Sequence, residues 1–187
     1  LYVKKGSYAE RYASENNIWF VNGETSKPIK IKRLTDTNVS ISKSSYTYDG
    51  KAKKPSVKVQ DGKNTFIKGK DYTVTYKNNI KAGTASVTVT GKGNCKGTVT
   101  KRFTITVKKN YIHKAGRLKY RVTGTSTVSV IGISGSNAGK VNIPQTVEIG
   151  GKIFEVTAVD KNAFRNNKKI TSLTIGGSVK TIGESAF

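Results

Sequence analysis

Val156-Thr-Ala-Val159-Asp-Lys-Asn-Ala163-Phe164 returns as Val179-Lys-Thr-Ile182-Gly-Glu-Ser-Ala186-Phe187, an offset of 23 residues between Phe164 and Phe187. A period in the twenties is the signature of a solenoid, in which each turn of coil is too small to bury its own apolar side chains and must stack on a neighbour. The alternating pair Leu173-Thr-Ile175 suits a short strand, Ile182 and Phe187 are the large apolar members, and Ala186 is small where coils approach. Upstream, Ile143-Pro-Gln-Thr-Val147 matches Ile175-Gly-Gly-Ser-Val179 at a spacing of 32, so nine extra residues separate that copy from its repeat. Those residues hold Gly150-Gly151 between Val147-Glu-Ile149 and Ile153-Phe-Glu-Val156, a pattern that predicts a β-hairpin.

The pattern I-x-x-I-G-x-x-A-F, read in Val179 to Phe187 with Val in first place, resembles the BspA-type leucine-rich repeat of bacterial surface proteins. The resemblance covers roughly residues 117–187 and implies an extracellular or cell-surface location, with host or neighbouring-cell proteins or glycans as partners. An irregular first coil is what a terminal capping repeat should show. Leu118 to Val122 and Thr127 to Ile133 read as the two strands of a hairpin that covers that coil.

At the other end, Ser7 and Glu10 form the pattern of a capping box, predicting a helix over about Tyr8 to Asn16 with Ala9, Tyr12 and Ala13 on one face. Ile18-Trp19-Phe20-Val21 reads as a short buried strand. Gly6-Ser-Tyr-Ala-Glu-Arg-Tyr-Ala13 resembles the segment that closes BspA-type arrays, so residues 1–22 are expected to be a closing cap and 23–36 a linker, which the alternation of Ile29 and Ile31 carries into a strand.

From about Val39 to Val107 the apolar residues alternate throughout. Tyr72, Val74 and Tyr76, then Ala85, Val87 and Val89, then Val99, Phe103, Ile105 and Val107 each put apolar groups on one face and Thr, Ser or Lys on the other. Asp49-Gly50, Asp61-Gly62, Lys68-Gly-Lys70, Asn78-Asn79 and Gly91-Lys-Gly-Asn94 punctuate them as turns. Six or seven strands at this spacing predict a small antiparallel sandwich over residues 37–108. The run from Gly69 to Asn94 resembles bacterial Ig-like modules, which implies a spacer. Cys95 departs from that family's usual Tyr and is read as a packed small hydrophobe. The expected fold is therefore mostly β: an Ig-like antiparallel sandwich flanked by pieces of leucine-rich repeat solenoid, with one short N-terminal helix, and with residues 109–187 forming a hairpin cap and the first coils.

Lys and Arg total 34 against 11 acids, a formal net charge of +23, so polyanions are natural candidate partners. The best electrostatic candidate is the basic hinge and the strand after it: Lys108, Lys109, Lys114, Arg117 and Lys119 are the candidate polyanion contacts. An accessory module that binds wall teichoic acid or a glycosaminoglycan is the alternative to an adhesion module. Nucleic acid is disfavoured, because Tyr46, Tyr48, Tyr72, Tyr76 and Phe103 fall at inward strand positions and are expected in the core rather than on a stacking platform.

No apolar run approaches 18 residues and no charged-then-apolar leader is present. A starting Leu and the absence of Met suggest an excised piece, so a monomer is expected, with head-to-tail contacts in a lattice through exposed coil ends. One cysteine excludes an internal disulfide. With His113 and Cys95 single, a Cys–His nucleophilic pair would need those two, and no second His or Cys completes a zinc site. Asp71, ahead of a strand, reads as a turn residue, and Gly91 to Asn94 lacks the helix of a phosphate loop. No enzyme activity, cofactor or metal is expected from these residues.

Overall fold

The computed structural model describes residues 2–16, 18, 20–22, 28–29, 31–62, 64–135 and 139–187. Its elements begin with β1 (Tyr2–Val3), α1 (Tyr8–Glu15), β2 (Phe20–Asn22), β3 (Pro28–Ile29), β4 (Lys32–Arg33) and β5 (Val39–Ile41). Next come β6 (Ser45–Thr47), β7 (Val57–Asp61), β8 (Asn64–Thr65), β9 (Tyr72–Lys77), β10 (Gly83–Gly91), β11 (Cys95–Lys96) and β12 (Thr98–Thr106). The last part holds β13 (Ile112–Ala115), β14 (Leu118–Val122), β15 (Thr127–Ile133), β16 (Gly139–Ile143), β17 (Thr146–Ile149), β18 (Lys152–Val159), β19 (Ile170–Ile175) and β20 (Thr181–Ile182). The chain is mostly β and forms two compact units. The first takes Leu1–Ser44, Lys53–Asn79 and Thr84–Phe103; the second takes Ser45–Ala52, Ile80–Gly83 and Thr104–Phe187.

In the first unit α1 starts at the predicted place. Ser7 Oγ accepts from Glu10 N at 3.2 Å, which satisfies one orphan amide of the first turn. Glu10 reaches one residue farther than a capping box requires: its Oε2 accepts from Gly6 N at 2.5 Å, because Ser7 N already donates to Lys4 O. The expected face is buried only in part. Ala13 and Ser14 are buried, whereas Ala9 is exposed and Tyr12 is 49% exposed. The contacts around the helix account for it: Tyr8 and Tyr12 stack on each other at the surface, Arg11 lies over Tyr8, and Arg33 of β4 donates to Ser14 O and Glu15 O at the end of the helix. Those carbonyls have no intrahelical partner, so a guanidinium there suits the negative end of the helix. The following strand begins two residues later than expected, at Phe20, and Ile18 is exposed; Trp19 lies outside the described residues. β1 and β2 run parallel around α1, with β3 antiparallel to β2.

The core of this unit draws on two sheets, β5-β7-β8 and the part of β9, β10 and β12 that lies in it. Leu34, Val39, Val59, Phe66, Tyr72, Val89, Cys95 and Val99 are buried together. Along β10, Ala85, Val87 and Val89 are all buried with half-buried Ser86 and Thr88 between them, as the period of two requires. The aromatic positions are graded: Tyr72 and Phe103 are buried, while Tyr76 is half-buried because its hydroxyl reaches Pro55 O at 2.7 Å. β4 and β11 pair in parallel, Lys32 opposite Cys95, which adds a strand pair that the alternation did not predict. Asp71 is a turn residue, as read: its Oδ2 accepts from Ile67 N at 2.8 Å and from Lys32 Nζ at 3.1 Å.

In the second unit β13, β14 and β15 form a meander, and β15 pairs in parallel with β18. β17 and β18 make the predicted hairpin through Gly150 and Gly151, at φ 63° and 84°. Positive φ at both central residues is the two-residue turn that matches strand twist, and glycine takes it at no steric cost. Beyond the hairpin the repeat governs the geometry. β18 pairs with β20 in parallel, Ala158 opposite Thr181 and Val159 opposite Ile182. β16 pairs with β19 in parallel, Val141 opposite Leu173 and Ile143 opposite Ile175. The spacings of 23 and 32 read in the sequence are thus the spacings of adjacent strands. Between the ladders lie Val128, Val130, Val141, Ile143, Ile149, Phe154, Val156, Val159, Phe164 and Ala186, all buried in one core.

A candidate binding surface

The β13-β14 hairpin turns through Gly116 and Arg117, with Lys114 directly opposite Lys119. Its two faces differ in kind. Leu118, Tyr120 and Val122 are buried, and their cross-strand partners Ala115 and His113 share that side, so Lys114 and Lys119 fall on the outer one. Lys108 and Lys109 are exposed in the segment before β13, where Tyr111 N donates to Lys108 O and Asn110 N to Val122 O. The structure therefore splits the five residues selected from sequence. Lys114, Arg117 and Lys119 gather at the turn end, and β13 sets Lys108 and Lys109 about 10 Å away at its other end.

At the turn end two segments join the group that sequence proximity could not reveal. Arg117 Nη1 donates to Lys140 O at 3.3 Å, and Gly139 N donates to Lys169 O at 2.8 Å. Lys140 is the second residue of β16 and Lys169 precedes β19, so the parallel β16-β19 ladder brings both to the corner where Arg117 lies. A cue was available: residues 32 apart in the repeat share a ladder, and Lys168-Lys169 sits one coil below the start of β16.

The acids of this unit that form ion pairs do so with other cations. Asp160 Oδ2 meets Arg121 Nη1 at 3.1 Å and Glu184 Oε2 meets Lys161 Nζ at 2.6 Å. Lys114 and Lys119 form no ion pair among the described residues.

The titratable groups singled out in the sequence sit in ordinary structural surroundings. His113 is half-buried with its ring 6.5 Å from that of Tyr111, which meets Tyr48 edge-on at 5.7 Å. Burial lowers the His113 pKa and raises that of Tyr111; in the case of Tyr120, deeper in the core, burial pushes it to about 12. Cys95 is buried as expected, and burial raises its thiol pKa. Among the described residues no group of three or more His, Cys, Asp or Glu side chains comes together. A cavity of about 550 Å³ in the first unit is lined by Glu10, Arg11, Glu15, Arg33 and Lys96, charges of both signs around the end of α1. No helix among the described residues is long and apolar enough to cross a membrane.

No family profile matches the chain, and no curated protein matches it. Among solved structures the chain is similar to a leucine-rich cell surface protein from Faecalibacterium prausnitzii A2-165, at 25% identity over 43% of this chain and 21% of that one, with a TM-score of 0.38. The chain spans about a fifth of that protein's length.

Proposed function

We propose that this chain is a non-enzymatic interaction segment of a bacterial cell-surface or secreted protein, in which BspA-type leucine-rich coils present the contact surface and an Ig-like sandwich over residues 37–108 acts as spacer. The observation that carries the reading is the stacking of equivalent repeat positions: Ala158 lies beside Thr181 and Val159 beside Ile182 at the 23-residue period. Coils in parallel register build a surface that grows in one direction, with a side chain from each coil at the same place on it. Such a surface suits an extended macromolecule better than a small molecule, and an extracellular location follows from the resemblance of the repeat. The segments at residues 1–22 and 109–187 fit a closing cap and an opening cap with its first coils.

The test is a binding array of matrix proteins and host glycans probed with this chain. Selective binding that is lost when exposed residues of β19 and β20 are replaced, Thr174→Glu with Thr181→Glu, supports the reading. Binding that survives those replacements and is abolished by changes confined to the first unit contradicts it.

A further inference from the structure

We infer that the corner formed by Lys114, Arg117, Lys119, Lys140 and Lys169 is a binding site for a linear glycan or polyol polymer carrying sulfate or phosphate esters. Lys114 and Lys119 stand directly opposite each other on the outer face of the hairpin, and like charges in that position destabilise a strand pair. No carboxylate among the described residues offsets them, while Asp160 and Glu184 are engaged with Arg121 and Lys161. An anion that meets both side chains offsets this like-charge pairing.

Arg117 extends the site. Its guanidinium is held against Lys140 O, so part of the ordering that anion capture requires is already present before binding. Gly139 between them donates to Lys169 O, which brings a third segment of chain to the same corner. Lys114, Arg117, Lys140 and Lys169 are exposed and Lys119 is half-buried, so all are open to a ligand from outside.

The ligand class follows from this layout. The cations sit on three segments along an open surface, so a single small anion meets one or two of them at a time, whereas a polymer with repeated charges engages the row together. Each contact releases counterions and adds to the salt dependence of binding. The row itself contains no aromatic side chain, and single-stranded nucleic acids rely on aromatic stacking, which favours a sulfated or phosphorylated glycan or polyol over RNA or DNA.

The experiment compares two triple variants of the whole chain that carry the same change in net charge. One is Lys114→Glu/Lys119→Glu/Lys169→Glu. The control, Lys54→Glu/Lys58→Glu/Lys77→Glu, alters three exposed lysines of the first unit. Affinity is read with heparin and with long-chain polyphosphate across a salt series, and single-stranded DNA serves as a third arm. The corner variant is expected to bind at least about tenfold more weakly, with a shallower slope of log affinity on log salt, and the control to stay within about twofold. A higher affinity for heparin identifies sulfate as the ester recognised, and a higher affinity for polyphosphate identifies phosphate. Equal weakening in both variants shows that net charge alone is responsible and overturns the site. Wild-type retention on heparin and polyphosphate that is negligible at about 50 mM salt overturns it too, as does DNA binding of equal strength with the same loss. Thermal melts check the fold; if the Glu triple melts early, the matching Gln triple carries the comparison.

Discussion

The rings of Phe164 and Phe187, one repeat apart, stack with centroids 5.4 Å apart and planes inclined by 7°. The backbone repeats the relationship, for Phe164 N donates to Ala186 O at 2.6 Å and Asn162 N to Glu184 O at 3.1 Å. Phe164 is 4% exposed and Phe187 is 55% exposed, so the same motif position is core in one coil and surface in the next. One more coil is what buries a ring here, which is why coils of this length do not stand alone.

The first prediction follows from that difference. Phe164→Ala should lower the stability of the repeat unit by about 3–5 kcal/mol through lost burial and an unfilled cavity, and Phe187→Ala by about 1 kcal/mol or less. Urea unfolding followed by circular dichroism checks both. Similar losses would mean that the two rings share one environment.

A second prediction concerns the glycine in Ile182-Gly183. A side-chain carbon at Gly183 would run into Lys161 N and lie 2.8 Å from Asp160 C, both backbone atoms of the coil above. Its hydrogen bond to Val159 O holds it there at 2.8 Å. Gly183→Ala should therefore cost about 1–3 kcal/mol by forcing the coils apart. Gly177, whose added carbon would meet only Gln145 Nε2 at 3.9 Å, should accept Ala with little change in the melting temperature.

Several of these features were legible in the chain and others were not. The Gly150-Gly151 hairpin and the Ser7 cap are local patterns, each decided by residues within about ten positions, the 23-residue offset shows because its motif recurs position for position, and the structure places all three where the patterns do. The helix face was misread because Ala9, Tyr12 and Ala13 obey the helical period, yet what covers α1 is Arg33 from a distant strand. The grouping of the basic residues was half legible for a similar reason. Nearness in sequence grouped Lys108 and Lys109 with Lys114, but strand pairing decides which charges meet, and it replaces the first two by Lys140 and Lys169. The β4-β11 pair was signalled only by the alternation of Ile29 and Ile31 just ahead of β4, which does not name a partner, and each strand is two residues long.

The third prediction is a pH dependence in the first unit. The backbone hydrogen bond from Ile67 holds the Asp71 carboxyl below its ordinary value of 3.8, against the opposing effect of burial, and Lys32 lowers it further. A group whose folded pKa is depressed contributes stability above its unfolded pKa and loses it as pH falls through the folded one. The stability difference between the natural chain and Asp71→Asn should be full at neutral pH, shrink as pH drops below about 4, and vanish at the acid end. Paired denaturant titrations at several pH values measure it. A difference that stays constant through the acid range would show that the Asp71 charge takes no part.

Strands one period apart lie side by side in this fold, and cysteine pairing tests that most directly. In a Cys95→Ala chain, Ala158→Cys with Thr181→Cys places thiols on Cα partners of adjacent parallel strands, a separation of about 5 Å that a disulfide spans. Ala158→Cys with Ser172→Cys is the comparison, because Ser172 lies beside Lys140 on the other ladder. Under mild oxidation in native buffer, rapid and near-complete disulfide formation is expected in the 158/181 pair and little in the 158/172 pair, read by mass spectrometry of the alkylated chains. Failure of 158/181 to close, or equal closure of both pairs, would contradict the 23-residue stack.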